Sequence, residues 1–133
     1  MVERAISENP AFRVSDVEFN LPKPSYTIDT LTVLAQKFPQ HEFTLIMGED
    51  NLVQFENWKN YQKILEYYSL YVYSRPNTPE HNFKNHPKVT FVEAPLLDIS
   101  ATYIRKRLSE GKNVKYLVPE IVEEYIRFKK FYQ

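Results

Sequence analysis

No cysteine occurs anywhere in the 133 residues. That excludes disulfide frameworks, thiolate zinc sites, iron–sulfur clusters and cysteine nucleophiles together. Glycine is almost as scarce. Gly48 and Gly111 are the only two, where average usage would supply about nine. A phosphate cradle needs several glycines close together, so neither the dinucleotide fingerprint nor the Walker loop stands within this chain. No charge of one sign dominates, because 17 basic and 17 acidic side chains cancel. A general nucleic-acid or anionic-membrane binder usually carries a basic surplus. No apolar run approaches the roughly 18–20 residues of a membrane span, and the opening MVERAISENP has no signal-like apolar stretch. The expectation is a cytoplasmic protein with neither nucleic acid nor membrane as partner.

What is present describes an ordinary globular chain, 43% hydrophobic and 26% charged, of a length suited to one domain. Ten Tyr, nine Phe and one Trp are read first as rings that fill a core.

Periodicity and punctuation divide the chain into alternating elements. Residues 2–8 read as a helix stopped by Asn9-Pro10, and residues 12–19 as a strand. A helix is expected over residues 27–38, with Ile28, Leu31, Leu34, Ala35 and Phe38 on one face, Ser25 or Thr27 as N-cap, and Pro39 ending it. Residues 43–47 (FTLIM) form a nearly continuous apolar run, the mark of a strand buried on both faces. Short helical pieces flank Trp58, over residues 51–55 and 61–67. Residues 70–73 and 89–92 read as strands, and residues 75–88, with three prolines, as a loop. Ser100 is placed to cap a helix over residues 101–108, with Ile104 and Leu108 facing the sheet and Gly111 just past its end. Pro119 opens a last helix whose buried face is Ile121, Val122, Tyr125 and Ile126. Alternation of this kind implies a parallel sheet, which binds ligands beyond the carboxyl ends of its strands. The residues to search are therefore 48–50, 74–75 and 93–105.

Three places there could carry chemistry. In Gly48-Glu49-Asp50, a glycine after a buried strand admits a ligand close to the backbone, and Asp50 could accept hydrogen bonds from ribose hydroxyls. Asp50 could equally cap the next short helix. In Asp98-Ile99-Ser100-Ala101-Thr102-Tyr103-Ile104-Arg105, two hydroxyls, the free N–H groups of a helix start and a guanidinium meet, which favours phosphate. Trp58, beside polar Glu56, Asn57, Lys59 and Asn60, either packs in the core or stacks on a flat ring. Thr27, at the start of its helix, offers a hydroxyl and backbone N–H groups to a carboxylate or phosphate. His41, His81 and His86 show no metal-site spacing and are read as surface residues.

These stretches, taken in order, resemble the bacterial nicotinate-mononucleotide adenylyltransferases. The likeness includes Ser25-Tyr26-Thr27-Ile28-Asp29-Thr30-Leu31, Gly48-Glu49-Asp50 with Trp58-Lys59, Ser74-Arg75-Pro76, Ile99-Ser100-Ala101-Thr102-Tyr103-Ile104-Arg105, and Tyr116-Leu117-Val118-Pro119. The serine–threonine–isoleucine–arginine pattern alone marks a wider nucleotidyltransferase superfamily, and the full set with the tryptophan marks the nicotinate branch. The resemblance implies adenylyl transfer from ATP to nicotinate mononucleotide, giving deamido-NAD and pyrophosphate, with Mg2+ brought by the ATP. It implies that Thr27 holds the nicotinate carboxylate, Trp58 stacks on its ring and Arg75 approaches a substrate phosphate. Gly48 and Asp50 would serve the adenosine side, and Ser100, Thr102 and Arg105 the ATP phosphates. Ala101 departs from the family, which often has a second serine there.

A larger departure is that no histidine of this chain is followed by x-Gly-His, whereas the family carries an H-x-G-H loop that grips the triphosphate. The fold expected is α/β, a Rossmann-like open parallel sheet with flanking helices, lacking the first central strand. The 133 residues would be a single nucleotidyltransferase-type domain, the carboxyl-terminal two-thirds of the full enzyme. Impaired transfer is expected, as is a homo-oligomer or a partner chain filling the absent strand. The alternatives are a non-catalytic nucleotide-binding fragment and another adenylyltransferase of the same superfamily.

Overall fold

Short apolar runs separated by proline and polar residues fold here into three parallel strands and five α-helices among the described residues. The computed structural model describes every residue except Leu96, Asp98 and Gln133. The chain divides into two compact units, residues 16–96 and residues 1–15 with 97–133.

In the unit of residues 16–96, a short 3-10 turn at Val17–Asn20 precedes α2 (Thr27–Lys37), α1 (Val2–Ala5) belonging to the other unit. The turn is tied to α2 by the Thr30 hydroxyl, which donates to Glu18 Oε1 at 2.8 Å. Then come β1 (Thr44–Gly48), a 3-10 stretch at Glu49–Asn57, α3 (Tyr61–Tyr67), β2 (Ser69–Tyr73), the loop of residues 74–88 and β3 (Val89–Val92). The sheet order is β1-β2-β3, all parallel, in the register Leu45–Leu70–Val89 and Met47–Val72–Phe91. These two rows face α2 and α3. Leu52, Phe55, Ile64, Leu70 and Val72 are almost wholly enclosed there, and each such side chain stabilises the fold by about 1.5–3 kcal/mol.

The alternate rows face away. Ile46 is 71% exposed and Tyr71 47% exposed. The strand of residues 43–47 is therefore covered on one face only, against the two-sided burial its apolar run suggested. Its other edge pairs with no strand among the described residues.

The second unit holds α1 (Val2–Ala5), α4 (Ala101–Ser109) and α5 (Glu120–Lys129). Ile104, Leu108, Val114, Leu117, Val118, Val122 and Ile126 pack together. Ile104 and Leu108 thus pack against Val122 and Ile126 of α5. Gly111, at φ +70°, ends α4: the Gly111 N–H donates to Leu108 and the Lys112 N–H to Arg107, the paired bonds of a Schellman ending.

Three further expectations are corrected. Residues 12–19 form no strand; Phe12, Val14 and Phe19 stay exposed and only Val17 is buried. The first helix is shorter than residues 2–8, since it stops at Ala5. In α5, Ile121 is exposed, and Glu123 is buried in its place, with Arg127 Nη2 donating to its Oε1 at 2.9 Å.

Candidate active site

Each strand ends where a functional residue was sought. Gly48 closes β1 and is followed by Glu49 and Asp50 in the 3-10 stretch. Tyr73 closes β2 and is followed two residues on by Arg75. The parallel register sets Gly48 beside Tyr73, so both side-chain groups gather over one sheet end. Arg75 Nε lies 3.3 Å from Asp50 Oδ1, and Nη2 donates to the Tyr73 hydroxyl at 2.9 Å. The guanidinium also lies 5.1 Å from the Tyr73 ring centre. A Cβ on Gly48 would fall 2.4 Å from Asp50 Oδ1 and 3.2 Å from Arg75 Nε. Glycine thus makes room for the close approach of the pair and is not demanded by its backbone angle, since its φ is −79°. Asp50 does not cap the 3-10 stretch, which has no side-chain cap.

A second group surrounds Trp58. The turn at residues 58–61 is fixed by Trp58 N–H donating to Phe55 and Tyr61 N–H to Trp58, with Asn60 in the left-handed region at φ 52°, which asparagine tolerates. Trp58 is half-buried, its ring 5.2 Å from that of the enclosed Phe55. It lines a cavity of about 290 Å³ with Ser25, Tyr26, Thr27, Lys59 and Ile64. Neither Ser25 nor Thr27 caps α2. Tyr26 takes the cap position without a side-chain bond, and Thr27 is the first helical residue. The N–H groups of Thr27 and Ile28 therefore have no acceptor within the helix. Lys59 Nζ pairs with Asp29 Oδ2 at 2.7 Å and lies 4.6 Å from the centre of the Tyr26 ring. An apolar wall, a hydroxyl, unpaired N–H groups and an ammonium suit a flat ring bearing a carboxylate.

The third group lies in the other unit. Ser100 caps α4, its Oγ accepting from Tyr103 N–H at 3.1 Å, and Arg105 Nη2 donates to Thr102 Oγ1 at 3.3 Å. All three side chains are exposed. The N–H groups at the head of this helix and a guanidinium fork together attract an anion. Asp98, which opens that run, lies outside the described residues.

Two neighbours of these groups were missed in the sequence. Glu49 was read only as the residue between Gly48 and Asp50, and His81 as a surface residue. Glu49 Oε2 accepts the Arg75 N–H at 3.0 Å, and Oε1 lies 3.3 Å from His81 Nε2. The His81 side chain is only 5% exposed. Partial burial pushes the Glu49 carboxyl up, but the Arg75 N–H, the His81 side chain and the charge of Lys84 together hold it below its ordinary value. The signal available was the alternation of His81 with Phe83, which buries both rings. His86 is half-buried and its Nδ1 accepts the Lys88 N–H, whereas His41 is exposed as expected. Among the described residues no three histidine, aspartate or glutamate side chains converge into a metal site.

A cytidylyltransferase-like family model matches residues 1–107, and the chain belongs to that family. A curated protein of Cytophaga hutchinsonii, "Probable nicotinate-nucleotide adenylyltransferase", is 57% identical over 132 residues, 99% of this chain and 69% of that protein. Within the family, this chain is a member of the nicotinate-nucleotide adenylyltransferases, spanning about 70% of such a relative's length. Two solved structures share its fold. One is Plasmodium falciparum nicotinic acid mononucleotide adenylyltransferase complexed with APC, with TM-score 0.73 and 19% identity over 96% of this chain and 70% of that one. The other is the same enzyme complexed with NaAD, with TM-score 0.64 and 20% identity over 81% and 57% of the two chains. The α/β class with an open parallel sheet is therefore as expected, and no described helix is long and apolar enough to cross a membrane.

Proposed function

We propose that this chain serves adenylyl transfer from ATP to nicotinate mononucleotide in the cytoplasm, yielding deamido-NAD and pyrophosphate for NAD synthesis. A phosphate oxygen of the mononucleotide attacks the α-phosphorus of ATP, the bond from that phosphorus to the bridging oxygen breaks, and pyrophosphate leaves with the electron pair. The observation that carries the reading is the cavity in which the Trp58 indole and the start of α2 at Thr27 meet. The pyridine ring lies on Trp58, and its carboxylate accepts from the Thr27 hydroxyl and the unpaired N–H groups. Arg75 takes the mononucleotide phosphate, and Asp50 accepts from the adenosine ribose above Gly48. Ser100, Thr102 and Arg105 take the ATP phosphates. The names of the relatives, and the APC and NaAD complexes of the structural neighbours, support these substrates.

Little covalent work falls to the protein, so positioning and charge stabilisation dominate. The described side chains do not cluster to hold a cation, so Mg2+ would arrive on the triphosphate. No H-x-G-H occurs in these 133 residues. These residues belong to one nucleotidyltransferase-type domain and, alone, bind both substrates and transfer slowly.

Calorimetry with nicotinate mononucleotide, nicotinamide mononucleotide and pantetheine phosphate, joined to a coupled pyrophosphate assay, tests the reading. Selective binding of the nicotinate compound with weak pyrophosphate release is expected. Preference for the pantetheine compound would move the chain to another branch of the superfamily.

A further inference from the structure

Glu49 joins three pieces of chain that the sequence leaves far apart. It follows the last residue of β1, its Oε2 accepts the backbone N–H of Arg75 at 3.0 Å, and its Oε1 meets His81 Nε2 at 3.3 Å. The Phe83 N–H donates to His81 Nδ1 at 3.3 Å, so Nδ1 acts as acceptor and Nε2 carries the proton given to Glu49. The imidazole cannot turn freely. Its ring lies near-parallel to those of Phe83 and Phe91, with centres 6.3 and 6.1 Å away, and Phe83 is itself part of the buried core.

We infer that Glu49 and His81 are a positioning pair for Arg75, fixing the backbone from which its guanidinium meets a substrate phosphate. The inference rests on the assignment of Arg75 to the phosphate of nicotinate mononucleotide. The pair itself touches no substrate. His81 is anchored by the core beneath the loop of residues 74–88, Glu49 transmits that anchor to the Arg75 amide, and Asp50 and Tyr73 orient the guanidinium. A loop rich in proline and polar residues would otherwise spread Arg75 over many positions, and a fork recognises phosphate only when it is aimed. Lys84 also faces Glu49 at longer range and favours its ionised form without a bond to it.

The test uses the 133-residue chain, with nicotinate mononucleotide, nicotinate riboside and ATP as probes. The ratio of mononucleotide to riboside affinity isolates the phosphate. His81→Phe keeps a buried ring but removes the donor, and Glu49→Ala removes the bridge. Both should speed hydrogen exchange at the Arg75 amide and lower the ratio about fivefold to tenfold, the scale of one ordinary hydrogen bond, with riboside and ATP affinities within about twofold. An unchanged ratio, or equal weakening of all three probes, overturns the inference. Wild-type chain that binds mononucleotide and riboside alike, or Arg75→Ala that leaves the ratio intact, removes the Arg75 assignment first and the pair's role with it.

Discussion

The Asp50 carboxylate and the Arg75 guanidinium stand 3.3 Å apart across the carboxyl ends of β1 and β2, with Gly48 directly beneath them. Their side chains are 61% and 47% exposed, and ion pairs this wet contribute only about 0–1 kcal/mol to stability. Their value is positional: two groups assigned to two different substrates hold each other in the free protein.

Gly48→Ala separates position from stability. The new methyl would lie 2.4 Å from Asp50 Oδ1, and Asp50 must swing aside. The obstacle is the end of a flexible side chain and the Gly48 φ suits any residue, so the fold should survive, with Tm lowered by about 5 °C at most, the scale of a 1 kcal/mol loss. ATP affinity should fall about tenfold, the equivalent of one hydrogen bond to a charged group. Calorimetric titration beside a thermal melt checks both. Unaltered ATP binding would take Asp50 out of the site.

Trp58 is the sole tryptophan, so its fluorescence reports the cavity without labels. Nicotinate mononucleotide should quench it, and the riboside should do so too, because the ring makes the contact. Trp58→Ala should weaken either ligand about tenfold, in keeping with the roughly 0.5–1.5 kcal/mol of an aromatic pair plus buried area. Trp58→Phe, which retains an edge against Phe55, should lose less. Binding without any change in emission would argue that the indole is only a lid on Phe55.

How far these relations were legible depends on their range. The three strands, α2, α4 and α5 follow from local periodicity and from stops such as Pro39 and Gly111, and each formed close to where those signals stand. Residues 12–19 failed because alternation of Phe12, Val14, Val17 and Phe19 makes a strand only where a neighbouring strand completes the ladder, and none among the described residues does. The two-sided burial expected of residues 43–47 failed at Ile46, since an apolar run says that a strand tolerates cover and not that cover is present. In the site, Gly48, Asp50 and Arg75 were singled out by their position after strands and do lie together, whereas Thr27 and Trp58, which share a cavity, were brought together by the family resemblance. Glu49 and His81 were missed because their significance lies in a contact across 32 residues of sequence, which no local pattern encodes.

At the head of α4, cap and ligand roles fall on neighbouring residues and can be told apart. Ser100→Ala loses the bond to the Tyr103 N–H and should cost about 1 kcal/mol of stability. Arg105→Lys keeps the charge but loses the fork. Arg105 is exposed, and among the described residues its side chain bonds only to Thr102, so stability should change by less than about 0.5 kcal/mol. ATP affinity should nonetheless fall about fivefold to tenfold while AMP binding holds, because a lysine offers a point charge where the guanidinium offers a planar pair of donors. Equal loss for ATP and AMP would place Arg105 away from the β- and γ-phosphates.

Glu49 makes stability depend on acid in a direction that its surroundings fix. Its carboxyl titrates below the ordinary value of 4.5, since the Arg75 N–H, His81 and Lys84 favour the ionised form more than partial burial opposes it. The unfolded chain therefore binds the proton more readily than the folded one. The stabilisation is complete above the ordinary value and is lost as pH falls through the lower, folded one. Against wild type, Glu49→Gln should cost about 1–2 kcal/mol near neutral pH, the scale of a hydrogen bond to a charged group. The gap should narrow steadily as pH drops below about 4.5, where wild type gives up the same charge. Paired thermal melts from pH 7 to 3 measure it. A gap that stays constant across that range would mean that Glu49 acts through shape alone, and its charge would then be irrelevant to holding the Arg75 segment against β1.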